Sequence, residues 1–343
     1  MAGHDIIVVG ASSGGIEALR AMLAPLPENF PAAIFVVVHI PSESPSNLPA
    51  ILQRATALEV SHPMDVEAIR ASHVYVAPPD HHLLVHKGHM RVVRGPRENR
   101  NRPAIDPMFR SAGRAYGGRV AGVILSGLLD DGSSGLYMVK KMGGIAIVQD
   151  PEDAAWGDMP RAALECVKAN YVVPASELGA TLMDVVQQPA EVTKLPPAGT
   201  GKEIRISEFD LDEMENPEKV GHLSPLACPE CNGSLWEIET GGPVRYRCHV
   251  GHSFTAANLL AEKANSFETA LWEALRALEE RAMLSRRMAL HAKKGGSLRS
   301  VARFEQQAEN VEQHAATLRR MLIEEEPPNV LPAIEQTVSE RTG

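Results

Sequence analysis

Two constellations in this chain carry residue types that could do chemistry. The first is Gly10-Ala11-Ser12-Ser13-Gly14-Gly15, where an apolar run hands over to a helix-like pattern. Such a turn holds either a phosphate or a nucleophile. A Walker turn needs Lys-Ser/Thr after its last glycine, and Gly15 is followed by Ile16-Glu17. A dinucleotide fingerprint needs a middle glycine that is missing here, and an acid after the second strand, where this chain has His39. A nucleophile remains: Ser12 at the carboxyl end of the first strand, among small neighbours that leave its hydroxyl accessible. Its base would be His39, which ends the apolar run VVVHI and emerges at the same edge if the two strands are neighbours. A third group must orient the imidazole, and Ser126-Gly127-Leu128-Leu129-Asp130-Asp131-Gly132 brings two carboxylates to the end of another strand. Each residue has an ordinary structural role, as an N-cap, a strand-end histidine or a turn. Their coincidence at three strand ends favours the chemical reading.

The second constellation is Cys228-Pro229-Glu230-Cys231, then sixteen residues, then Cys248-His249-Val250-Gly251-His252. A C-x2-C turn aims two thiolates at one ion, and a tetrahedral Zn2+ wants four N or S ligands. Cys228, Cys231 and Cys248 supply three. His252 is preferred as the fourth over His249, whose side chain would point to the other side of an extended segment. The set is closed, so a structural zinc is expected and no cofactor for catalysis. Trp236, Tyr246 and Phe254 are the expected core of the module.

The elements that must position these residues follow from the pattern. Short β-branched runs alternate with helical ones through the first half, which predicts an α/β fold with a doubly wound, mostly parallel sheet. Strands are expected at 5–9, 33–38, 74–77, 120–126 and 145–148, and helices at 16–23, 106–116, 134–142, 160–169 and 176–187. HHLLVHKGHMRVVRG alternates on both sides of Lys87-Gly88 and reads as an inserted β-hairpin. After residue 188 the periodicity stops at QPAEVTKLPPAGTGK and an acidic stretch follows. The expected organisation is a catalytic domain over 1–188, a linker over 189–219, a zinc module over 220–255, an antiparallel helical hairpin over 256–326 and a tail over 327–343. The hairpin seam would use Phe267, Leu271, Ala274, Leu278 and Ala282 on one helix. Leu298, Val301, Phe304, Ala308, Val311, Ala315, Leu318 and Leu322 would meet them from the other.

Composition excludes several classes. The chain of 343 residues has a formal charge of −9, which argues against a general nucleic-acid coat or a membrane-surface protein. No apolar run approaches the roughly 20 residues of a membrane-spanning helix, and the start has no basic, apolar leader pattern. Clustered cysteines in such a chain read as metal ligands rather than disulfides, so a cytoplasmic location is expected.

IIVVGASSGGIEAL, VVVH, YVAPPDHHL, RPAIDPMF, VILSGLLDDGSSG and GDMPRAA, in this order over about residues 4–188, resemble the catalytic domain of the chemotaxis protein-glutamate methylesterase (CheB) family. The resemblance implies Ser12 as nucleophile, His39 as general base and acid, and Asp131 as the residue that orients His39, with Asp130 its solvent-facing neighbour. It also implies a hydrolase that releases methanol from glutamate methyl esters of chemoreceptors, with receptor glutamine deamidation as a further activity of the same triad. The oxyanion donors would be the backbone N–H groups of Ser13 and of the Leu128 region. Where the family usually reads Met-Gly, this chain has Leu128-Leu129. The first expected strand begins at residue 5, which leaves no room for the family's receiver domain, so other control is expected. Related methylesterases carry C-terminal extensions with a similar Arg-Tyr-Arg-Cys-His-Val-Gly-His segment and a helical hairpin, which could offer a face to a protein partner. A catalytically weak or inactive zinc-containing interaction protein in a chemosensory pathway is the alternative reading, and a nucleotide-binding protein has little support.

Charge is unevenly distributed. Between Lys87 and Arg119 nine Lys/Arg stand against two acids, while residues 191–220 hold four basic and eight acidic groups. The basic strip is either a solvated face or a steering surface for the acidic, Glu-rich helices of a methylated receptor, for which the acidic stretch would compete.

Overall fold

The computed structural model describes residues 3–40, 46–190, 221–238 and 242–324. Most of the expected linker at 189–219 and the tail at 327–343 lie outside the described residues. The described part falls into two compact units, Met1–Leu259 and Leu260–Gly343.

The first unit is built on a parallel sheet of seven strands: β1 (Ile6–Ala11), β2 (Ala33–Val38), β3 (Glu59–Ser61), β4 (His73–Val76), β7 (Val120–Ile124), β8 (Ile145–Gln149) and β9 (Tyr171–Val173). They lie in the order β3-β4-β2-β1-β7-β8-β9, every pair parallel. The β1 run IIVVGA is buried throughout because helices cover both faces of the sheet. Pleat alternation sends Ile7, Val9 and Ala11 into one core, with α1 (Gly15–Leu23), α2 (Leu48–Gln53) and α6 (Ala175–Gln187). Ile6 and Val8 enter the other core, with α3 (Ile105–Tyr116), α4 (Ser133–Lys141), α5 (Asp158–Cys166) and the hairpin β5 (His82–His86) and β6 (His89–Val93). The chain leaves β1 for β2 on one side and returns to β7 on the other, so β1 and β7 flank the point where the winding direction switches.

Expected elements recur within a few residues; α2, β3 and β9 are additional. They span six, three and three residues, too few to establish a period.

Still within the first unit, β10 (His222–Ala227), β11 (Ser234–Ile238), β12 (Arg245–Cys248) and β13 (Ser253–Thr255) form an antiparallel ribbon. Its core is Cys228, Leu235, Cys248, Phe254 and Leu259, with Tyr246 packed on it. Trp236 is not part of that core: Leu235, beside it on β11, turns inward and β-strand alternation turns Trp236 away.

The second unit contains most of α7 (Ala256–Lys294) and all of α8 (Leu298–Glu324). Its buried seam is Leu275, Ala282, Ser285 and Ala289 from α7 against Ala308, Val311 and Ala315 from α8. Phe267, Ala274 and Leu298 are exposed and lie off the seam. Steps of seven from Leu275 to Ala282 and Ala289 set the stripe, and Ala274 falls one residue to its side. No described helix is long and apolar enough to cross a membrane.

Candidate active site and metal centre

Ser12 follows β1 directly, in a turn that only small residues can build. Gly14 has φ 73°, and a Cβ there would lie 2.7 Å from Ala155 Cβ and 2.8 Å from Ser126 Oγ. The turn is fastened to the loop after β7: Ser12 N donates to Ser126 O at 2.9 Å, and Ser126 Oγ donates to Ser13 O at 2.7 Å. Gly127 is packed so closely on Ser12 that a Cβ would fall 2.8 Å from the serine Cβ.

His39 leaves β2 beside this turn, its backbone N donating to Ala11 O at 3.2 Å. Its Nδ1 lies 3.2 Å from Ser12 Oγ and its Nε2 2.8 Å from Asp131 Oδ2. Sequence reasoning thus named three residues that the fold brings into one hydrogen-bonded line. Ser12 and His39 are partly exposed and Asp131 is buried.

Asp131 lies at the amino end of α3, where Ile105 N donates to Oδ2 at 2.7 Å and Asp106 N to Oδ1 at 3.3 Å. The first N–H groups of a helix have no intrahelical acceptor, and a carboxylate there also meets the positive end of the helix dipole. Burial alone would raise the Asp131 carboxyl, but the bond and charge of His39, with Ile105 N and the Asn99 amide, hold it below the usual range. The opposite happens to Asp106, pushed up to about 7 by burial and by the charge of Asp131. The site therefore holds one carboxylate kept ionised beside another inclined to keep its proton.

Ser13 sits in the Gly-rich turn and Leu128 is exposed in the loop after β7. Leu129 takes φ 62°, a left-handed conformation that favours glycine, so the Leu128-Leu129 departure carries backbone strain. Asp130 is not the solvent-facing neighbour the sequence implied. Thr255 Oγ1 donates to it at 2.7 Å and so does Asn258 Nδ2, and burial pushes its carboxyl up to about 6. Helix α7 begins here, and its first residues cover this acid.

Several groups around the site were not anticipated: Asn99, Asp106, Thr255, Asn258 and a buried ion cluster. In that cluster Glu98 meets Arg110 Nη2 at 2.6 Å and Arg247 Nη2 at 3.2 Å. The basic strip is partly neutralised. Arg91 pairs with Asp65, Arg94 and Arg102 with Asp80, Arg110 with Glu98, and Arg119 with Asp5. The acidic stretch proposed to compete for it lies outside the described residues.

Cys228, Cys231, Cys248 and His252 each offer a ligand atom, all within 4.8 Å of one another. Cys231 and Cys248 sulfurs are 3.6 Å apart, and His252 Nδ1 is 3.8 Å from Cys228 Sγ and 3.6 Å from Cys248 Sγ. A tetrahedral ion with metal–sulfur bonds of about 2.3 Å and metal–nitrogen bonds of about 2.1 Å needs edges of about 3.8 and 3.6 Å, so the donors fit. Tight knuckles present them: Asn232 N donates to Cys228 O at 2.8 Å and Gly251 N to Cys248 O at 3.0 Å. His252 Nε2 lies 3.4 Å from Glu230, so a carboxylate fixes the ring with Nδ1 inward. His249 is exposed and takes no part.

A protein-family model described as CheB methylesterase matches residues 7–182. A protein of Leptospira interrogans (serovar copenhageni, strain Fiocruz L1-130) is 38% identical over 176 residues, 51% of this chain and 91% of that protein. A protein-glutamate methylesterase/protein-glutamine glutaminase of Anaeromyxobacter dehalogenans (strain 2CP-C) is 37% identical, with 53% of this chain matching 54% of its length. Among solved structures, the CheB methylesterase catalytic domain of Thermotoga maritima aligns with a TM-score of 0.52 and 33% identity. That alignment covers 54% of this chain and 99% of that domain.

Proposed function

The chain belongs to the CheB methylesterase family, and from that premise we propose that it is a serine hydrolase that removes methyl groups from glutamate methyl esters of chemoreceptors. The observation that carries this reading is the unbroken line from Asp131 through His39 to Ser12. His39 Nδ1 takes the Ser12 proton as Oγ bonds to the ester carbonyl carbon. The tetrahedral oxyanion is met by the N–H groups of Ser13 and Leu128, each worth about 2.7–4 kcal/mol in comparable sites. Collapse breaks the bond to methoxide, which leaves as methanol with the proton from His39. Water then repeats the sequence on the acyl-enzyme and frees glutamate. Asp131, ionised at the amino end of α3, balances the imidazolium formed in both steps. A glutamine side chain would follow the same path with ammonia leaving, which accords with the paired activities in the names of the relatives.

The Cys/His centre would hold a structural zinc, since its four donors leave no position for substrate. Reduced thiol ligands accord with a cytoplasmic enzyme. Methanol release from receptor-helix peptides carrying glutamate γ-methyl esters tests the reading. Wild-type protein should release methanol and Ser12→Ala should not; no release by either would overturn it.

A further inference from the structure

Residues 97–99 lie between two partners that belong to different parts of the sequence. On one side is the acid of the triad and on the other is β13 of the ribbon. Glu98 and Asn101 exchange backbone hydrogen bonds of 3.2 and 2.9 Å, and the two residues between them are left-handed, Asn99 at φ 49° and Arg100 at φ 70°. This is a primed two-residue turn, in which asparagine is among the few side-chain-bearing residues that sit well. Its tip turns the Asn99 side chain into the protein, where only 2% of the residue is exposed.

Every polar atom of that side chain is used. Nδ2 donates to Asp131 Oδ1 at 2.8 Å and to Asp106 Oδ2 at 3.1 Å. Oδ1 accepts from Thr255 N at 2.9 Å. An amide can be turned end for end, and the Thr255 N–H decides which way: it can only meet the oxygen, so the NH2 group must face the carboxylates. The backbone repeats the clamp, with Asn99 N donating to Ser253 O at 2.7 Å and Ser253 N to Arg97 O at 3.2 Å. Ribbon residue Arg247 holds the preceding Glu98, and Thr255 and Asn258 hold Asp130, which precedes Asp131. Residues far along the chain thus hold the neighbours of the triad acid on two sides, Glu98 and Asn99 on one and Asp130 on the other.

We propose that Asn99 is a positioning residue for the triad and that the C-terminal ribbon holds it in that role. The ribbon is then part of the esterase site rather than an appended module. Asn99 touches no substrate. It keeps Asp131 Oδ1 occupied, so that Oδ2 faces His39, and it separates Asp131 from Asp106. The proposal rests on the triad reading given above.

The tests compare Asn99→Ala with Asn99→Asp, using methanol release from a peptide bearing a glutamate γ-methyl ester. Loss of a hydrogen bond to a charged group should lower kcat about ten- to hundred-fold in Asn99→Ala, with KM close to that of wild type. Asn99→Asp preserves shape but sets a carboxyl oxygen against two others, so it should be the worse variant, with the acid limb of its kcat/KM profile displaced to higher pH. A group that only filled space would give the reverse order, and that result overturns the proposal. To test the ribbon, Arg247→Met and Cys231→Ser are each combined with Asn99→Ala. Both should lower kcat alone and add little in combination, because each acts through the same contact; additive losses refute the coupling. Limited proteolysis and metal content tell whether the ribbon is folded in each protein. The His39 titration, followed by NMR in Ser12→Ala protein, needs no turnover. It should move when Asn99→Ala is added. An unmoved titration refutes the positioning role whatever the esterase assay gives, whereas a moved titration with no Ser12-dependent turnover leaves the positioning intact and removes only the esterase reading.

Discussion

Glu98→Gln isolates the energy that joins the ribbon to the sheet domain. The Glu98 carboxylate accepts from Arg110 at 2.6 Å and Arg247 at 3.2 Å, and the residues are 1%, 0% and 3% exposed. Solvent cannot take over from a lost partner at such burial. Glutamine keeps the shape and one acceptor oxygen but removes the charge, which leaves two guanidinium groups buried without that anion. Breaking a buried pair in this way costs about 3–5 kcal/mol. The control is Arg161→Ala, which removes a pair with Glu152 at 2.9 Å in the same unit, whose side chains are 54% and 83% exposed. Exposed pairs are worth about 0.2–1 kcal/mol. Urea unfolding, followed in a Trp272→Phe background by the fluorescence of Trp156 and Trp236, both in the first unit, reads the difference as a shift in midpoint at unchanged m. A Glu98→Gln shift no larger than that of the control would refute the reasoning.

Other outcomes follow from the same contacts. Asp106, pushed up to about 7, holds a proton in the folded state that the unfolded chain releases near pH 4. Its contribution is therefore fully present below about pH 4 and is lost as pH rises through about 7, so stability measured by urea should fall less steeply over that window in Asp106→Asn. Cys231→Ser should reduce metal content, read by elemental analysis, from equimolar to near zero and open the ribbon to protease. Ala308 is fully buried in the helical seam, so Ala308→Leu should cost about 1–3 kcal/mol, seen as a lower melting temperature of the helical signal at 222 nm.

The catalytic candidates were legible because topology does the positioning. Ser12, His39 and Asp131 each follow a strand of an open parallel sheet, and strand ends on one edge converge whatever the intervening sequence does. The metal ligands were legible because knuckle geometry is local; His252 rather than His249 faces the thiolates, although a tight turn at Gly251 and not an extended segment brings it there. Asn99 was not legible. It lies in no regular element, and its value depends on Thr255 and Asp131, which nothing nearby in sequence indicates. The same limit explains Asp130, which the family resemblance implied to be solvent-facing, and the basic strip, whose charge count does not reveal that Asp65, Asp80 and Asp5 meet it from outside the segment. The seam of α7 was misread because Phe267 and Ala274 satisfy a step of seven as well as Leu275 and Ala282 do.

The segment Arg245-Tyr246-Arg247-Cys248 explains why a metal ribbon would be joined to an esterase site. On β12 alternate side chains face opposite ways, so Arg245 and Arg247 share one face while Tyr246 and Cys248 take the other, where they join the ribbon core. Both arginines are buried, and Arg247 reaches Glu98 while the charge of Arg245 is felt by Asp106. The sheet domain presents four acids here, Glu98, Asp106, Asp130 and Asp131, against a single buried arginine of its own, Arg110. With the two ribbon arginines the imbalance falls to one negative charge, and a proton retained by Asp106 near neutral pH removes it. Asp131 can then stay ionised at the amino end of α3 without like-charge repulsion from every side, which is the state a histidine-orienting carboxylate requires. Zinc in the Cys/His centre would act on this balance from a distance by fixing the strand that carries the cations, with no part in the chemical step.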